Sequence, residues 1–198
     1  MGAQPLSFDP LAGLVAKAGK GDAASARALV EAVSPALWRI AWRLLRDAAE
    51  AQDVTQDALV RLWTIAPNWK PGQAKIETWL YRVATNLCFD RLRKAGRFVE
   101  EAAAPEQWDC APRADAWLLE SDLRTRIDEA LMDLPARQRT AIILTHYEGL
   151  SAKAVGEILD VSVEGVESLL ARARRTLRSA LAAEKTWLLE AAVEGFVA

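Results

Sequence analysis

Residues 150–178 read LSAKAVGEILDVSVEGVESLLARARRTLR, and three features of this run decide the fold. Ser151 stands just before a segment whose Val155, Ile158 and Leu159 recur at helical spacing, which predicts a helix capped by a serine side chain. Asp160 to Ser162 make a three-residue turn, and Ser162 caps a second helix buried through Val166, Leu169, Leu170 and Ala173. Such a helix-turn-helix lays the start of its second helix in the major groove of duplex DNA. Ser162, Glu164, Glu167, Ser168 and Ala171 then face the groove, and Arg172, Arg174 and Arg175 follow a turn later, where phosphates pass. A plain helical hairpin explains the caps but neither the turn length nor the basic tail.

The helical period extends through the whole chain, while strand alternation with hairpin turns is absent. Asp22 caps a helix bearing Leu29, Val33, Leu37, Ile40, Ala41, Leu44 and Leu45, which Pro35 is predicted to kink or divide. A second helix runs from Ala49 to Ile65, with Val54, Ala58, Leu62 and Ile65 inward, and stops at Pro67. The segment 67–77, PNWKPGQAKIE, reads as a connector, and Thr78 as the cap of a helix that ends near Ala95-Gly96. Further helices are predicted over 117–132, over 135–147 with Pro135 at the first helical position, over 152–159, and from 163 onward. The fold class is all-α, two small helical domains joined by a flexible acidic linker. Residues 1–97 form the first domain and 98–116 the linker, whose Trp108 could dock on a domain. Residues 117–182 form the helix-turn-helix domain, and 183–198 a C-terminal helical extension.

Composition narrows the function. With 52% hydrophobic and 26% charged residues in 198, the chain has the make-up of a soluble globular protein. No apolar run approaches a membrane span and the N-terminus lacks the order of a secretory signal, so a cytoplasmic location is expected. Cys88 and Cys110 suit reduced thiols, and a solitary His146 weighs against a zinc site or a His-based triad. No metal, cofactor or catalytic residue is expected. The net charge of -2 conceals a division. Lys70, Lys75, Arg82, Arg91, Arg93, Lys94 and Arg97 face only Glu77 and Asp90 in one basic segment. The stretch from Val99 to Asp133 is acidic, and Arg172, Arg174, Arg175 and Arg178 make the chain basic again. Two basic patches suggest two contacts with a polyanion.

Two more constellations complete the pattern. In residues 51–63, AQDVTQDALVRLW, burial of Val54, Ala58 and Leu62 turns Asp53, Gln56 and Asp57 onto one outer face, an acceptor surface suited to arginines of a protein partner. In residues 79–94, WLYRVATNLCFDRLRK, Leu80, Val83, Ala84 and Leu87 form the core stripe while Arg82, Asn86, Asp90 and Arg93 align on another face. Asp90 is expected to pair with Arg93 or Lys94.

Taken in order, these two runs, LPARQRTAIILTHYEGLS and VSVEGVESLLARARR resemble bacterial RNA polymerase sigma factors of the extracytoplasmic-function (ECF) group, over roughly Asp22 to Leu181. The resemblance implies a transcription initiation factor with sigma regions two and four, and no catalysis. It implies that Asp53, Gln56 and Asp57 grip the β′ clamp helices of core polymerase. It implies that Trp69, Lys70, Lys75, Arg82, Asn86, Arg91, Arg93 and Lys94 hold the non-template strand of the minus-ten element. The helix-turn-helix corresponds to the reader of the minus-thirty-five element, the helix around Leu134 to Tyr147 to a β-flap contact, and an anti-sigma factor is a family expectation. This sequence departs from the family at Glu167, where Lys or Arg is common, at Leu169, where Arg is frequent, and at Gly156, where alanine is usual. A stand-alone helix-turn-helix regulator and a sigma-like decoy that binds an anti-sigma factor remain rivals. The extension, with Trp187, Leu188 and Phe196, either packs on its own domain or docks on the first domain or an anti-sigma factor.

Overall fold

Within the described residues, the apolar stripes read from the sequence lie on helices. The computed structural model describes residues 9, 11–69, 75–98 and 121–182, with side chains from Thr125 onward in the last stretch. Among the described residues eight α-helices run in order: α1 Ala12–Ala18, α2 Ala23–Leu45, α3 Ala48–Ile65, α4 Ile76–Lys94, α5 Ser121–Met132, α6 Ala136–Ile142, α7 Ala152–Leu159 and α8 Val163–Ala180. No strand occurs among the described residues. The extension 183–198 lies wholly outside them, as does the linker 98–116 with Trp108, but for Phe98.

Side-chain caps set four of the starts. Asp22 Oδ2 accepts from the Ser25 backbone N–H at 3.0 Å, Asp47 caps α3 through Ala49 and Glu50, and the Ser151 and Ser162 hydroxyls accept from Ala154 and Gly165. Three local readings change. Pro35 does not divide α2, which is continuous: Glu31, whose carbonyl loses its amide partner, and Pro35 both lie on the exposed face, where water replaces the bond. Thr78 is not a cap, because α4 begins two residues earlier, where the Ile76 N–H donates to Asp9 Oδ2 at 2.9 Å. Pro135 is the N-cap of α6 rather than its first residue, and the predicted helix to Tyr147 ends in a π-helical turn over Ile143–Tyr147. α1 was not read from the sequence; its Val15 is fully buried.

The first four helices pack through Leu29, Leu37, Leu62, Leu80 and Leu92, the last four through Ile143, Leu144, Ile158, Val166 and Leu170, all buried. The apolar cluster is continuous between the two sets, with α4 packed along α7.

Candidate functional site

Three polar faces stand on this frame. On α3, Val54, Ala58 and Leu62 are buried and Asp53, Gln56 and Asp57 are exposed together, as the period requires. Asp57 is already shared: Arg91 of α4 donates from Nη2 to Asp57 Oδ2 at 3.0 Å and from Nε to Glu50 Oε2 at 2.6 Å. Partial burial works against the Arg91 charge, but the two carboxylates outweigh it and hold its pKa above the ordinary arginine value. Asp53 enters none of the ion pairs of the described residues. Beside this face a groove of about 530 Å³ opens between α2 and α3, lined by Pro35, Trp38, Gln52, Gln56 and Leu59, with Trp38 39% exposed and stacked on Trp42.

On α4, Arg82, Asn86, Asp90 and Arg93 are all exposed, and Leu80, Val83, Ala84 and Leu87 are buried. Arg93 Nη1 donates to Asp90 Oδ1 at 3.1 Å and its guanidinium lies 4.5 Å from the Phe98 ring centre. Arg91 is drawn away from Arg93 and Lys94 by its carboxylate partners. Lys75 is exposed at the start of α4. Trp69 stands edge-on to Trp79 at 6.3 Å, and its buried Nε1 has no partner among the described residues. Lys70 lies outside them.

On α7–α8 the two helices and their turn form as read, with Asp160 in the left-handed region at φ 56. Glu164, Glu167, Ser168, Ala171, Arg172, Arg174 and Arg175 are exposed on α8, whereas Leu169 is buried. Ser162 is committed to its cap. Gly156 has a local reason: a Cβ there would meet the Val161 carbonyl oxygen at 2.8 Å.

Sequence reading missed what joins these faces. Glu148, in the turn before α7, is only 4% exposed at its side chain and receives Arg39 of α2 at 2.9 Å, with Arg43 at 3.7 Å. Arg43 also stands 4.3 Å from the Tyr147 ring centre, Arg46 pairs with Asp128 at 2.9 Å, and Arg82 lies 3.8 Å from Asp160. Arg139 of α6 is 2% exposed and enters no ion pair among the described residues; Nη1 donates to the Met132 carbonyl at 2.8 Å, and burial lowers its pKa to about 10. The alternation of arginines and tryptophans along α2 was the available signal, but it named no partner. No group of His, Cys, Asp and Glu able to hold a metal occurs among the described residues.

The chain is similar to known proteins. Sigma-70 region 2 matches residues 29–98, and Sigma-70 region 4 matches residues 124–177. The chain is 31% identical to the ECF RNA polymerase sigma factor SigW of Bacillus subtilis over 172 residues, covering 82% of this chain and 91% of that protein. It is 35% identical to the ECF sigma factor SigE of Mycolicibacterium smegmatis, covering 78% of this chain but 60% of that longer protein. Among solved structures, CnrH bound to the cytosolic domain of CnrY superposes with a TM-score of 0.65 at 26% identity, over 87% of this chain and 97% of that one. The sigma factor RpoE of Bartonella quintana, in complex with the anti-sigma factor NepR, gives 0.59 at 27% identity, over 78% of this chain and 95% of that one.

Proposed function

The chain belongs to the ECF sigma factors of the sigma-70 family, and from that premise we propose how its three faces share the work of transcription initiation. The α3 face, with Asp53, Gln56 and Asp57 beside the apolar groove, binds the β′ clamp helices of core polymerase; carboxylates accept charge-assisted hydrogen bonds from a basic partner. The α4 face, with Arg82, Asn86, Arg93 and Lys94, and with Trp69, Lys70 and Lys75 at its approach, holds the non-template strand of the minus-ten element. Cations track a single strand's backbone while aromatic and amide groups engage its unstacked bases. Arg91 acts at one remove, bracing α3 against α4 through Glu50 and Asp57. The α8 face reads the minus-thirty-five element, with Arg172, Arg174 and Arg175 on phosphates, and α6 with its π-turn meets the β flap. An anti-sigma factor is the regulatory partner; the solved relative from Bartonella quintana is in complex with one. No described helix is long and apolar enough to cross a membrane, which suits work beside the chromosome in the cytoplasm.

The observation that carries this reading is the presence, on one chain, of an acidic acceptor face, a separate polar-basic face on α4 and a helix-turn-helix. A stand-alone DNA-binding regulator needs only the last. Two promoter elements about 25 base pairs apart are separated by about 85 Å. Here α4 and α7 touch, so the halves must part before one promoter can hold both. Asp53→Lys tests the polymerase face: we expect loss of co-elution with core polymerase at unchanged thermal stability. Undiminished binding to core would remove α3 from the account.

A further inference from the structure

We propose that Glu167 selects a cytosine in the upstream promoter element, an inference that rests on the assignment of α8 to that element. The groove-facing side of α8 is crowded with candidates, but most are committed elsewhere. The Ser162 hydroxyl accepts from the Gly165 N–H at 3.1 Å. Glu164 is turned back to the helix start, where its own backbone N–H and the Ser162 hydroxyl hold its pKa below the usual carboxylate value. The Arg172 guanidinium folds onto Ser168, with Nη2 3.1 Å from its Oγ. Leu169 is buried and Ala171 carries no polar atom. Glu167 is exposed on the second turn, and no other side chain of the described residues is found hydrogen-bonded to it. It flanks Ala171, whose small side chain lets the helix backbone approach the base edges closely.

The chemistry then narrows the base. An ionised carboxylate offers acceptors only. In the major groove guanine presents two acceptors, and thymine an acceptor and a methyl group, so both repel it or leave it unpaired. Adenine offers its N6 donor beside the N7 acceptor, whose lone pair opposes the second carboxylate oxygen. Cytosine offers N4 with no neighbouring acceptor on the same base, and so pairs with Glu167 without that conflict. The acid thereby trades general affinity for DNA, which a negative charge weakens, for rejection of three bases at one position.

The test is chain-dependent transcription by holoenzyme, reconstituted from the full chain and purified core polymerase, on promoter fragments randomised across the upstream element. Wild type should enrich cytosine at one position, by about 5- to 150-fold over the other bases. Glu167→Gln should move the preference at that position to adenine, whose N6 and N7 match an amide, and Glu167→Lys should move it to guanine. All other enriched positions should stay the same in the three proteins. An identical enriched element in all three would overturn the inference and leave the sigma function standing. Chain-dependent transcription from no fragment would overturn both.

Discussion

Glu148 offers the most informative single perturbation, because its two sides have unequal consequences. Its carboxylate is 4% exposed and receives Arg39 at 2.9 Å and Arg43 at 3.7 Å, while the arginine side chains are 46% and 24% exposed. Removing the acid in Glu148→Ala releases two guanidinium groups that reach water by small rotations. The lost pairing is therefore on the order of 1–2 kcal/mol, below the 3–5 typical of a broken, fully buried pair. Removing the base in Arg39→Ala strands a nearly buried carboxylate with only the longer Arg43 contact, and about 2–3 kcal/mol is lost. A loss of 1–2 kcal/mol shifts the ratio of closed to open forms by about 5- to 30-fold. The assay is a distance distribution between spin labels at Arg61→Cys on α3 and Glu157→Cys on α7, both exposed positions, with Cys110 replaced by serine. Cys88 is buried and takes no label. Wild type should show one short distance, Glu148→Ala a mixture, and Arg39→Ala a larger open fraction. The double variant should fall well short of the sum of the two singles, because they share one contact. Identical distributions in all four proteins, or strict additivity, would refute the reasoning that this contact closes the molecule.

Other consequences are as specific. Asn86→Ala removes an exposed amide from the α4 face and should reduce promoter opening, read by permanganate footprinting, while core binding and thermal midpoint stay unchanged. Gly156→Ala should cost about 1–3 kcal/mol of stability and lower the thermal midpoint, because crowding against the Val161 carbonyl at 2.8 Å outweighs the helix-propensity gain of about 1 kcal/mol. Burial raises the Cys88 thiol from 9.0 to about 12 and the Tyr81 phenol from 10.0 to about 12. Both neutral forms are favoured in the fold, so their stabilisation is complete below pH 9 and is lost as pH rises toward 12. Denaturant titrations should show stability falling from pH 9 upward, and in Cys88→Ala the fall should begin about one unit later.

The helical period and the capping residues were legible because both act within a turn or two: Asp22, Ser151 and Ser162 cap as their sequence positions demand. The faces on α3, α4 and α8 were legible for the same reason, since burial of one stripe fixes what lies opposite. Thr78 failed as a cap because the actual start of α4 is held by Asp9, 67 residues away. Pro35 failed as a break because the Glu31 carbonyl that it orphans faces water on the exposed side of α2. Gly156 looked like a weakness in a helix until the Val161 carbonyl occupied the space of its missing Cβ. Nothing in the sequence singled out Glu148, Arg39 or Arg43. Their pairing joins residues 109 positions apart and exists only once the two halves meet. Arg139, in a helix predicted from Pro135 onward, is buried at 2% exposure, which its charge did not announce.

The central claim, that this chain is the subunit that brings core polymerase to a promoter and opens it, is tested most directly by run-off transcription with purified core polymerase on a genomic promoter library. Open complexes and discrete transcripts should appear only when the chain is added, and should vanish with Asp53→Lys. Sequence-specific binding of duplex DNA without polymerase, and no chain-dependent transcript, would contradict it in favour of an autonomous regulator. Neither activity, with tight binding to an anti-sigma factor retained, would contradict it in favour of a decoy.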